Sequence, residues 1–389
     1  MAIPLSYNLR NLRVRKTTTL MTALGIALTV AVLTGIMALV NGIQTALAVT
    51  GNPLHVLIMR QGSTAELTSV IGDEKFQVVR FMDGIDRLEG EPMASHELVT
   101  VISLPLRGNP AEEANVNARG LSPMGIQMRN GVSILPGGRW FQAGRREVVV
   151  GRGLERIHEG LSIGDSIDLG RGQWEIVGIL DAGRSAFNSE IWADANALDA
   201  DLGRGANLST ILVRATDAVA AQSLVNRVSD DQRLLLEGTL EPDYYAGQMD
   251  SAAAVQALGL FVAAIMAIGS SFAAMNTMYA AVARRSKEVG VLRLLGFSRG
   301  SIMLSFLLES LLLSLLGGLL GCLLILPLNG FESRIGNLVT FSHTTFSFQV
   351  SPAILLAGLV FSAIMGVIGG VMPARMAAGR AVLSSLRDI

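Results

Sequence analysis

Long uncharged stretches alternate with polar stretches along this chain. The first runs from Thr17 to Leu54 and the second from Ser251 to Ala283, and neither contains Asp, Glu, Lys or Arg. The third extends from Gly300 to about Leu328 with Glu309 as its only charge, and the fourth from about Ser351 to Met372. A bilayer is crossed by about 20 apolar residues, and an open strand would leave backbone groups unpaired in lipid. The pattern therefore predicts four transmembrane helices.

The composition agrees with a membrane protein. Charged residues make up 16% of the chain, against roughly 25% in soluble domains, and the mean hydropathy is +0.46. This apolar composition makes the lipid bilayer the expected environment. The formal net charge of -1 provides no basic excess, so no nucleic-acid partner is expected. Cys322 is the one cysteine, which excludes an intramolecular disulfide.

Basic residues flank the spans unevenly, and the positive-inside rule converts this bias into an orientation. It predicts a multi-pass protein of the inner (cytoplasmic) membrane with both termini in the cytoplasm. The competing interpretation is a cleaved signal peptide, since Ala46-Leu47-Ala48 resembles a cleavage site, but the apolar run is far longer than the 7 to 15 residues or so of a signal peptide. The basic clusters are Arg10, Arg13, Arg15 and Lys16, then Arg284, Arg285, Lys287, Arg293 and Arg299, then Arg375, Arg380 and Arg387.

These assignments divide the chain into alternating segments. At 1.5 Å per residue, uncharged helices of about 38 and 33 residues would extend roughly 57 and 50 Å, against a hydrocarbon core near 30 Å. We therefore expect the first two spans to project outward as a paired stalk, and the third and fourth to form a lipid-embedded hairpin. The segments are a cytoplasmic N-terminal segment (1–16), the first span and stalk (17–54), an extracytoplasmic domain (55–245), a stalk and second span (246–283), a cytoplasmic segment (284–299), the third span (300–328), an external loop (329–350), the fourth span (351–372) and a cytoplasmic C-terminus (373–389).

The region 55–245 has the pattern of a mixed α/β domain. Apolar residues at three-and-four spacing predict helices at Lys75 to Leu88 and Ala218 to Val228. The fold class is thus an α-helical membrane protein with four transmembrane helices and a mixed α/β extracytoplasmic domain between the first two. Short runs rich in Val, Ile and Leu predict strands at Leu54 to Met59, Leu98 to Leu104, Val148 to Val150, Trp174 to Leu180 and Leu208 to Val213.

Candidate catalytic residues are scarce. None of the three lysines, Lys16, Lys75 and Lys287, follows a glycine, so the sequence contains no phosphate-binding P-loop. The run from Gly160 to Gly164 matches a nucleophile elbow in letters, but a turn and a strand are expected after it instead of a helix. The four histidines are scattered and no cysteine pair accompanies them, so no metal site is predicted. We expect a non-catalytic chain.

Polar and small residues interrupt the apolar spans at a few points. Glu309 is costly in lipid unless it is paired, and two roles stay open for it: contact with the basic segment 284–299, or a purely structural ion pair. Gly317 and Gly321, and likewise Gly366 and Gly370, have the small-xxx-small spacing that lets helices approach closely. Helix packing is the favoured interpretation of these glycines.

The segment 284–299 combines basic and apolar residues between two spans. Its apolar residues, from Val289 to Phe297, interleave with charges, which indicates a short helix lying in the membrane interface with its apolar side down. An ordinary positively charged loop is the alternative on composition alone.

The sequence resembles a known family over nearly its whole length. Arg-Arg-x-x-Glu-Val-Gly-x-Leu-Arg-x-Leu-Gly-Phe at 284–297, followed by Glu309 and Gly317, Gly318 and Gly321, is similar to the FtsX-like permease domain of MacB-type ABC transporters. The ending from Gly369-Gly370 through Pro373-Ala374-Arg375 to Leu386-Arg387 resembles that family's closing pattern. Val148 to Gly151, Gly164-Asp165 and Ile176 to Ile179 resemble the MacB-like periplasmic core domain. MacB itself carries a fused ATPase domain, whereas the first span begins here by residue 17.

The resemblance implies a permease dimer, here a homodimer, served by two copies of a separate ABC ATPase subunit that binds ATP and Mg. No cofactor is expected in this chain. ATP-driven closure of the ATPase would move a coupling helix, and the stalk would transmit that motion outward (mechanotransmission) for export or extraction of a substrate. A periplasmic membrane-fusion adaptor is a further partner in the case of export. By resemblance, the ATPase-coupling residues are Arg284, Arg285, Glu288, Gly290, Arg293, Gly296, Phe297 and Arg299.

Two other functions stay open at this point. The chain could regulate cell-wall hydrolases, as FtsX proteins do, or act as an ATPase-independent membrane receptor whose outer domain senses a ligand. Association with an ATPase would exclude the receptor, and binding of a hydrolase activator would favour the cell-wall function.

Overall fold

A computed structural model describes residues 16–129, 131–248, 250–336 and 343–379. Most of the predicted N-terminal segment and the end of the predicted C-terminal segment lie outside these residues. The chain divides into two units. The membrane unit holds residues 16–41, 254–331 and 348–379, and the α/β domain holds the described residues of 42–253 and 332–347.

Helices make up most of the membrane unit and a smaller part of the α/β domain. In chain order they are α1 (Lys16–Thr50), α2 (Asp73–Val79), α3 (Pro123–Met128), α4 (Arg152–Ile157), α5 (Ala195–Leu202), α6 (Ala218–Asp230), α7 (Glu241–Gly247), α8 (Asp250–Arg284), α9 (Ser286–Leu294), α10 (Arg299–Ile325) and α11 (Pro352–Gly379). Short 3-10 turns lie at Glu66–Thr68, Ala186–Ser189 and Leu326–Leu328.

The strands belong to the α/β domain. In chain order they are β1 (His55–Arg60), β2 (Ile71–Gly72), β3 (Arg87–Leu88), β4 (Glu91–Pro92), β5 (Ala94–Leu106), β6 (Asn109–Leu121), β7 (Ser133–Ile134), β8 (Glu147–Gly151), β9 (Ser166–Leu169), β10 (Gly172–Asp181), β11 (Glu190–Asp194), β12 (Asn207–Leu208), β13 (Thr210–Arg214), β14 (Leu236–Leu240), β15 (Glu332–Gly336) and β16 (His343–Ser347).

The helices α1, α8, α10 and α11 are each long and apolar enough to span a bilayer, so the chain is a multi-pass membrane protein. Both α1 and α8 have 35 residues. Each is therefore about 52 Å long, well above the hydrocarbon thickness of roughly 30 Å. The fourth span, α11, extends to Gly379, beyond the predicted end at Met372, and includes Pro373. Proline is tolerated in membrane helices because neighbouring helices satisfy the freed backbone groups.

Small and hydroxyl residues bring the membrane helices together. A Cβ on Gly317 would lie 2.8 Å from the carbonyl oxygen of Ala23 in α1. In the pair Gly366 and Gly370 of α11, a Cβ on Gly370 would lie 2.7 Å from the Cβ of Ser310 in α10. These spacings leave no room for a side chain, as expected of helices that pack through small residues. Gly321 approaches Ala27 in the same way, Gly366 approaches Ser314, and hydroxyl pairs join α1 to α8 at Thr22–Thr277 (3.0 Å) and Thr29–Ser270 (2.6 Å).

A ten-stranded sheet forms the centre of the α/β domain. Its order is β14-β1-β13-β5-β6-β11-β8-β10-β7, with β9 paired to β10. The pairs β6–β11 and β8–β10 are parallel, and the other pairs are antiparallel. In β8, Val148 and Val150 face one apolar cluster and Val149 faces another. Burial on both faces explains why this strand has a continuous apolar run instead of an alternating one.

Each predicted strand is present in the domain, and the predicted helix at 218–228 is α6. The helix predicted from Lys75 to Leu88 is wrong in its second half, because α2 ends at Val79. Gly84 adopts a φ of +90°, and Ile85 then pairs with Ala215 as an isolated bridge. This left-handed turn, which favours glycine, interrupts the helical spacing that the apolar residues indicate.

The loop predicted at 329–350 contains a hairpin, in which β15 pairs with β16. The hairpin packs on the α/β domain, where Phe346 is buried and Glu332 pairs with Arg156 of α4. His343 Nδ1 lies 3.3 Å from the carbonyl oxygen of Asn115 in β6. The described strands of this connection, β15 and β16, therefore belong to the α/β domain, where the sequence predicted a loop.

Candidate functional site: the short helix between the second and third spans

The segment 284–299 folds as a helix, α9, with a defined beginning and end. Arg285 occupies its N-cap position with φ −103° and ψ 14°. At the other end Gly296 adopts a φ of +89°, and the Phe297 N–H donates to the Leu292 carbonyl at 3.1 Å. A left-handed glycine followed by a bond back across the last turn is a common helix stop. Ser298 Oγ then accepts from the Ser301 N–H at 3.2 Å and begins α10.

One side of α9 is buried in the membrane unit. Val289 and Gly290 are buried, and Val289 belongs to an apolar cluster with residues of α8, α10 and α11. Because this cluster draws on three spans, α9 is seated on the helical bundle instead of forming an independent loop. The other members of the cluster are Met278, Val282, Ile302, Phe306, Ala374 and Ala377.

Arg285 and Glu309 form a buried ion pair beneath α9. Arg285 Nη1 donates to Glu309 Oε2 at 2.8 Å, and Nη2 donates to Oε1 at 2.9 Å. The two side chains are only 4% and 6% exposed, and the guanidinium lies over the Phe306 ring at 5.9 Å. A two-pronged pair is the geometry that offsets the cost of burying both charges. Glu309 therefore contacts the basic segment 284–299 through an ion pair. The two roles that the sequence leaves open, contact with this segment and a structural ion pair, are met by the same interaction.

The opposite side of α9 is exposed and divides into a charged end and an apolar end. Arg284, Lys287 and Glu288 are exposed near the N-terminus. The residues that follow at helical spacing are apolar: Val291, Leu294 and Leu295 are 48%, 62% and 64% exposed. We call these three residues the apolar patch. Val291 lies three and four positions before Leu294 and Leu295, so these exposed aliphatic side chains share one side of the helix.

The predicted coupling residues fall on both sides of this helix. Arg284, Glu288, Gly296 and Arg299 are exposed, whereas Arg285 and Gly290 are buried. Arg293 and Phe297 are half-buried, and Arg293 Nη1 lies 3.4 Å from the Phe297 carbonyl oxygen. The prediction that these residues act in coupling remains a prediction, with the exposed ones placed for direct contact.

The apolar residues of the segment divide between two sides of α9, and the expectation that this helix lies in the membrane interface remains a prediction. The sequence placed the apolar residues of the segment on a single downward side, whereas Val289 is buried and Val291, Leu294 and Leu295 are exposed. The spacing contains the signal, because residues 291, 294 and 295 repeat at three and four positions and Val289 does not belong to that series. Which of the two sets faces the helical bundle depends on where the helix begins. Arg285 at the N-cap position sets that beginning.

The α/β domain contains a second concentration of buried charge, around Arg119 in β6. All the N–H groups of its guanidinium donate to carboxylates: Nε to Glu190, Nη1 to Glu66 and Glu97, and Nη2 to Glu66 and Glu190, at 2.7 to 2.9 Å. Arg129 adds a two-pronged pair with Glu97 at 2.7 Å. The network connects the 3-10 turn at Glu66 to β5, β6 and β11, so it holds the middle of the sheet together.

Burial and charge act in opposite directions within this network. Burial raises the pKa of the Glu66 carboxyl, and Arg119 offsets only part of that effect. Burial also acts to raise the pKa of Glu97, but Arg129 and Arg119 together outweigh it and lower that pKa. Each of these carboxylates has an arginine partner, so their buried charges are compensated within the network. Among the described residues, no group of His, Cys, Asp or Glu could hold a metal ion.

Comparisons with known proteins place these features in a family. Residues 19–231 match the MacB-like periplasmic core domain, and residues 260–382 match the FtsX-like permease C-terminal domain. The macrolide export ATP-binding/permease protein MacB of Hahella chejuensis is 26% identical over 92% of this chain and 56% of its own length. The uncharacterized ABC transporter permease YknZ of Bacillus subtilis is 26% identical over 64% of this chain and 63% of its own length. The chain thus spans about half the length of the Hahella relative.

Two solved structures each match about half of the chain. The extracellular domain of the noncanonic ABC-type transporter YknZ from Gram-positive bacteria matches with a TM-score of 0.36 and 15% identity, over 48% of this chain and 99% of that domain. The periplasmic region of MacB from Actinobacillus actinomycetemcomitans matches with a TM-score of 0.37 and 11% identity, over 50% of this chain and 92% of that region. Since the two family models together account for the α/β domain and for the spans that carry α9, this chain belongs to the MacB-type, FtsX-like family of ABC transporter permeases.

Proposed function

We propose that this chain is the permease subunit of an ABC transporter and that α9 is the coupling helix on which a separate cytoplasmic ATPase docks. ATP and Mg would bind to that partner. Its closure would move α9, and the long helices α1 and α8 would transmit the movement to the α/β domain for export or extraction of a substrate. Two permease copies, two ATPase copies and, for export, a periplasmic adaptor complete the proposed assembly.

The apolar patch is the observation that supports this proposal. Permeases of this family work with ABC ATPase partners. A docking helix needs a desolvated apolar centre with charges around it, which is the usual anatomy of a protein interface. Val291, Leu294 and Leu295 supply the apolar centre, and Arg284, Lys287 and Arg299 supply exposed charges on the same segment.

The distribution of basic residues supports docking on the cytoplasmic side. The basic residues of 284–299, together with Lys16 and Arg375, lie at the ends of the spans that the positive-inside rule assigns to the cytoplasm. In this orientation the α/β domain is extracytoplasmic, the membrane is the inner (cytoplasmic) membrane and both termini are cytoplasmic. α9 would then lie on the side where ATP is available.

Co-purification with ABC ATPase subunits of the source organism tests the proposal. Val291→Asp places a charge in the apolar patch and should weaken ATPase association by about tenfold or more, as for a central interface residue. Val219→Asp is a matched control, because Val219 is 81% exposed in the α/β domain. Equal loss in both variants, or no loss in either, contradicts docking through the apolar patch of α9. If the patch instead lies among lipid headgroups, Val291→Asp leaves ATPase association unchanged.

A further inference from the structure

The third span is attached to α9 by more than chain connectivity. Glu309 lies in α10, about three turns from its beginning at Arg299, and pairs with Arg285 at the start of α9. A movement of α9 that separated them would break this buried two-pronged pair. Breaking a buried pair by removing one partner is strongly unfavourable, so α9 and the first half of α10 should move together.

The same span leads directly into the α/β domain. After Ile325 the chain makes a short 3-10 turn at Leu326–Leu328 and enters β15 at Glu332. Antiparallel bonds hold the two arms of this connection together, with Gly330 N–H donating to the Phe348 carbonyl at 2.8 Å and Phe348 N–H to the Phe331 carbonyl at 2.9 Å. These two bonds pair the residues that lead from α10 into β15 and from β16 toward α11.

The hairpin is fixed to the α/β domain by several independent contacts. Glu332 pairs with Arg156 of α4, and Phe346 is buried. The backbone of Ser347 lies so close to Gly42 that a Cβ on Gly42 would overlap it. An ion pair, a buried ring and a close backbone approach together indicate a firm attachment that can transmit force.

We propose that α10 is a second transmission route, which carries movement of α9 through the Arg285–Glu309 pair and the β15–β16 hairpin to the α/β domain. This rests on the proposed role of α9 as a coupling helix and adds to the route through α1 and α8. Arg285, Glu309, Glu332 and Arg156 are positioning residues, because they act through the elements they hold together. Two fastened routes would make the domain follow α9 as a unit, whereas the stalk alone would allow α10 and α11 to lag.

Hydrogen exchange of the full chain in lipid nanodiscs tests the attachment without an ATPase. Glu309→Gln and Arg285→Gln should each speed amide exchange in α9 by about tenfold or more, because the helix loses its anchor. The charge-swapped variant, Arg285→Glu with Glu309→Arg, should recover most of the wild-type protection, which distinguishes a lost pair from general misfolding. The control is Arg80→Gln, which breaks an exposed pair with Glu91. Unchanged α9 exchange in both single variants overturns the attachment.

A second measurement uses the chain bound to its ATPase and tests transmission itself. In the wild type, ATP should alter exchange in β15 and β16. In Glu309→Gln the ATPase should still associate, and the ATP response should persist at the α/β end of α1 but disappear from the hairpin. Glu332→Arg should have the same effect, with recovery when Arg156→Glu is added. A hairpin response that survives Glu309→Gln overturns the second route. Failure of the wild type to bind any ABC ATPase would contradict the proposed function, and the exchange of α9 alone would still decide the attachment.

Discussion

Gly321 in the third span lies so close to Ala27 in the first that a Cβ on the glycine would be 2.6 Å from the alanine carbonyl oxygen. The obstacle is backbone, which cannot rotate away as a side chain would. Gly321 thus sets how closely α10 and α1 approach, and the same helix carries Glu309. The same span, α10, therefore sets the distance to α1 and carries the carboxylate that pairs with Arg285 at the start of α9.

Gly321→Ala should destabilise the membrane unit. Overpacking by one methyl group costs typically about 1 to 3 kcal/mol, which exceeds the gain of up to about 1 kcal/mol from better helix propensity. Gly269→Ala is the matched control, because Gly269 also lies in a membrane helix and a Cβ there has nothing within 4 Å. Thermal unfolding in detergent should show a lower midpoint for Gly321→Ala alone. An equal midpoint for both variants would mean that the helices adjust without cost.

Arg119→Met should strongly destabilise the α/β domain. Removing the guanidinium leaves Glu66 and Glu190 buried without the partner that holds each of them. Breaking a buried ion pair in this way costs about 3 to 5 kcal/mol. Urea unfolding followed by tryptophan fluorescence is a suitable measurement, since Trp192 Nε1 donates to Glu190 at 2.7 Å.

Arg233→Met is the control for that experiment. Arg233 also pairs with a carboxylate, Asp231, at 2.7 Å, but its side chain is almost fully exposed. Exposed pairs contribute little, so no measurable change in the unfolding midpoint is expected. A loss in Arg119→Met as small as the loss in Arg233→Met would show that the carboxylates around Arg119 find water or protonate at little cost.

Glu147 at the start of β8 should make stability depend on pH in the acid range. Its hydrogen bonds from Arg139 lower the pKa of the Glu147 carboxyl from 4.5 to about 2. A carboxyl with a lowered folded-state pKa stabilises the fold above its unfolded pKa, and this contribution is lost as pH falls toward the folded value. The stabilisation should therefore be complete above about pH 4.5 and decline between there and pH 2.

Glu147→Gln isolates that contribution. The variant should unfold at a lower temperature than the wild type near neutral pH, and the difference should shrink steadily as the pH falls below about 4.5. Thermal scans of both proteins over this range provide the test. A constant difference across the range would show that Glu147 is not held ionised by Arg139.

The sequence predicts the elements of this fold better than their contacts. Span positions follow from long uncharged runs, and β8 follows from three consecutive valines, because burial leaves a direct mark on composition. The sequence does not identify the partner of Glu309, because several arginines lie within reach along the chain. Only the folded bundle selects Arg285. The hairpin at β15–β16 was also missed, because its contacts with Arg156 and Asn115 come from distant parts of the sequence.

The end of α9 offers the most specific test of its proposed role. Gly296 adopts a φ of +89°, and a Cβ there meets nothing within 4 Å, so substitution acts on the backbone alone. An L-residue in the left-handed region costs roughly 1 to 2 kcal/mol, so Gly296→Ala should unwind the last turn and displace Leu294 and Leu295. Gly300→Ala is the control, because a Cβ on Gly300 would make only an ordinary contact, 3.9 Å from Ser298 Oγ. We expect weaker ATPase association and faster exchange in the last turn of α9 for Gly296→Ala, and wild-type behaviour for Gly300→Ala. Faster exchange with full association would place the docking surface on the charged end of α9, at Arg284 and Lys287, instead of on the apolar patch.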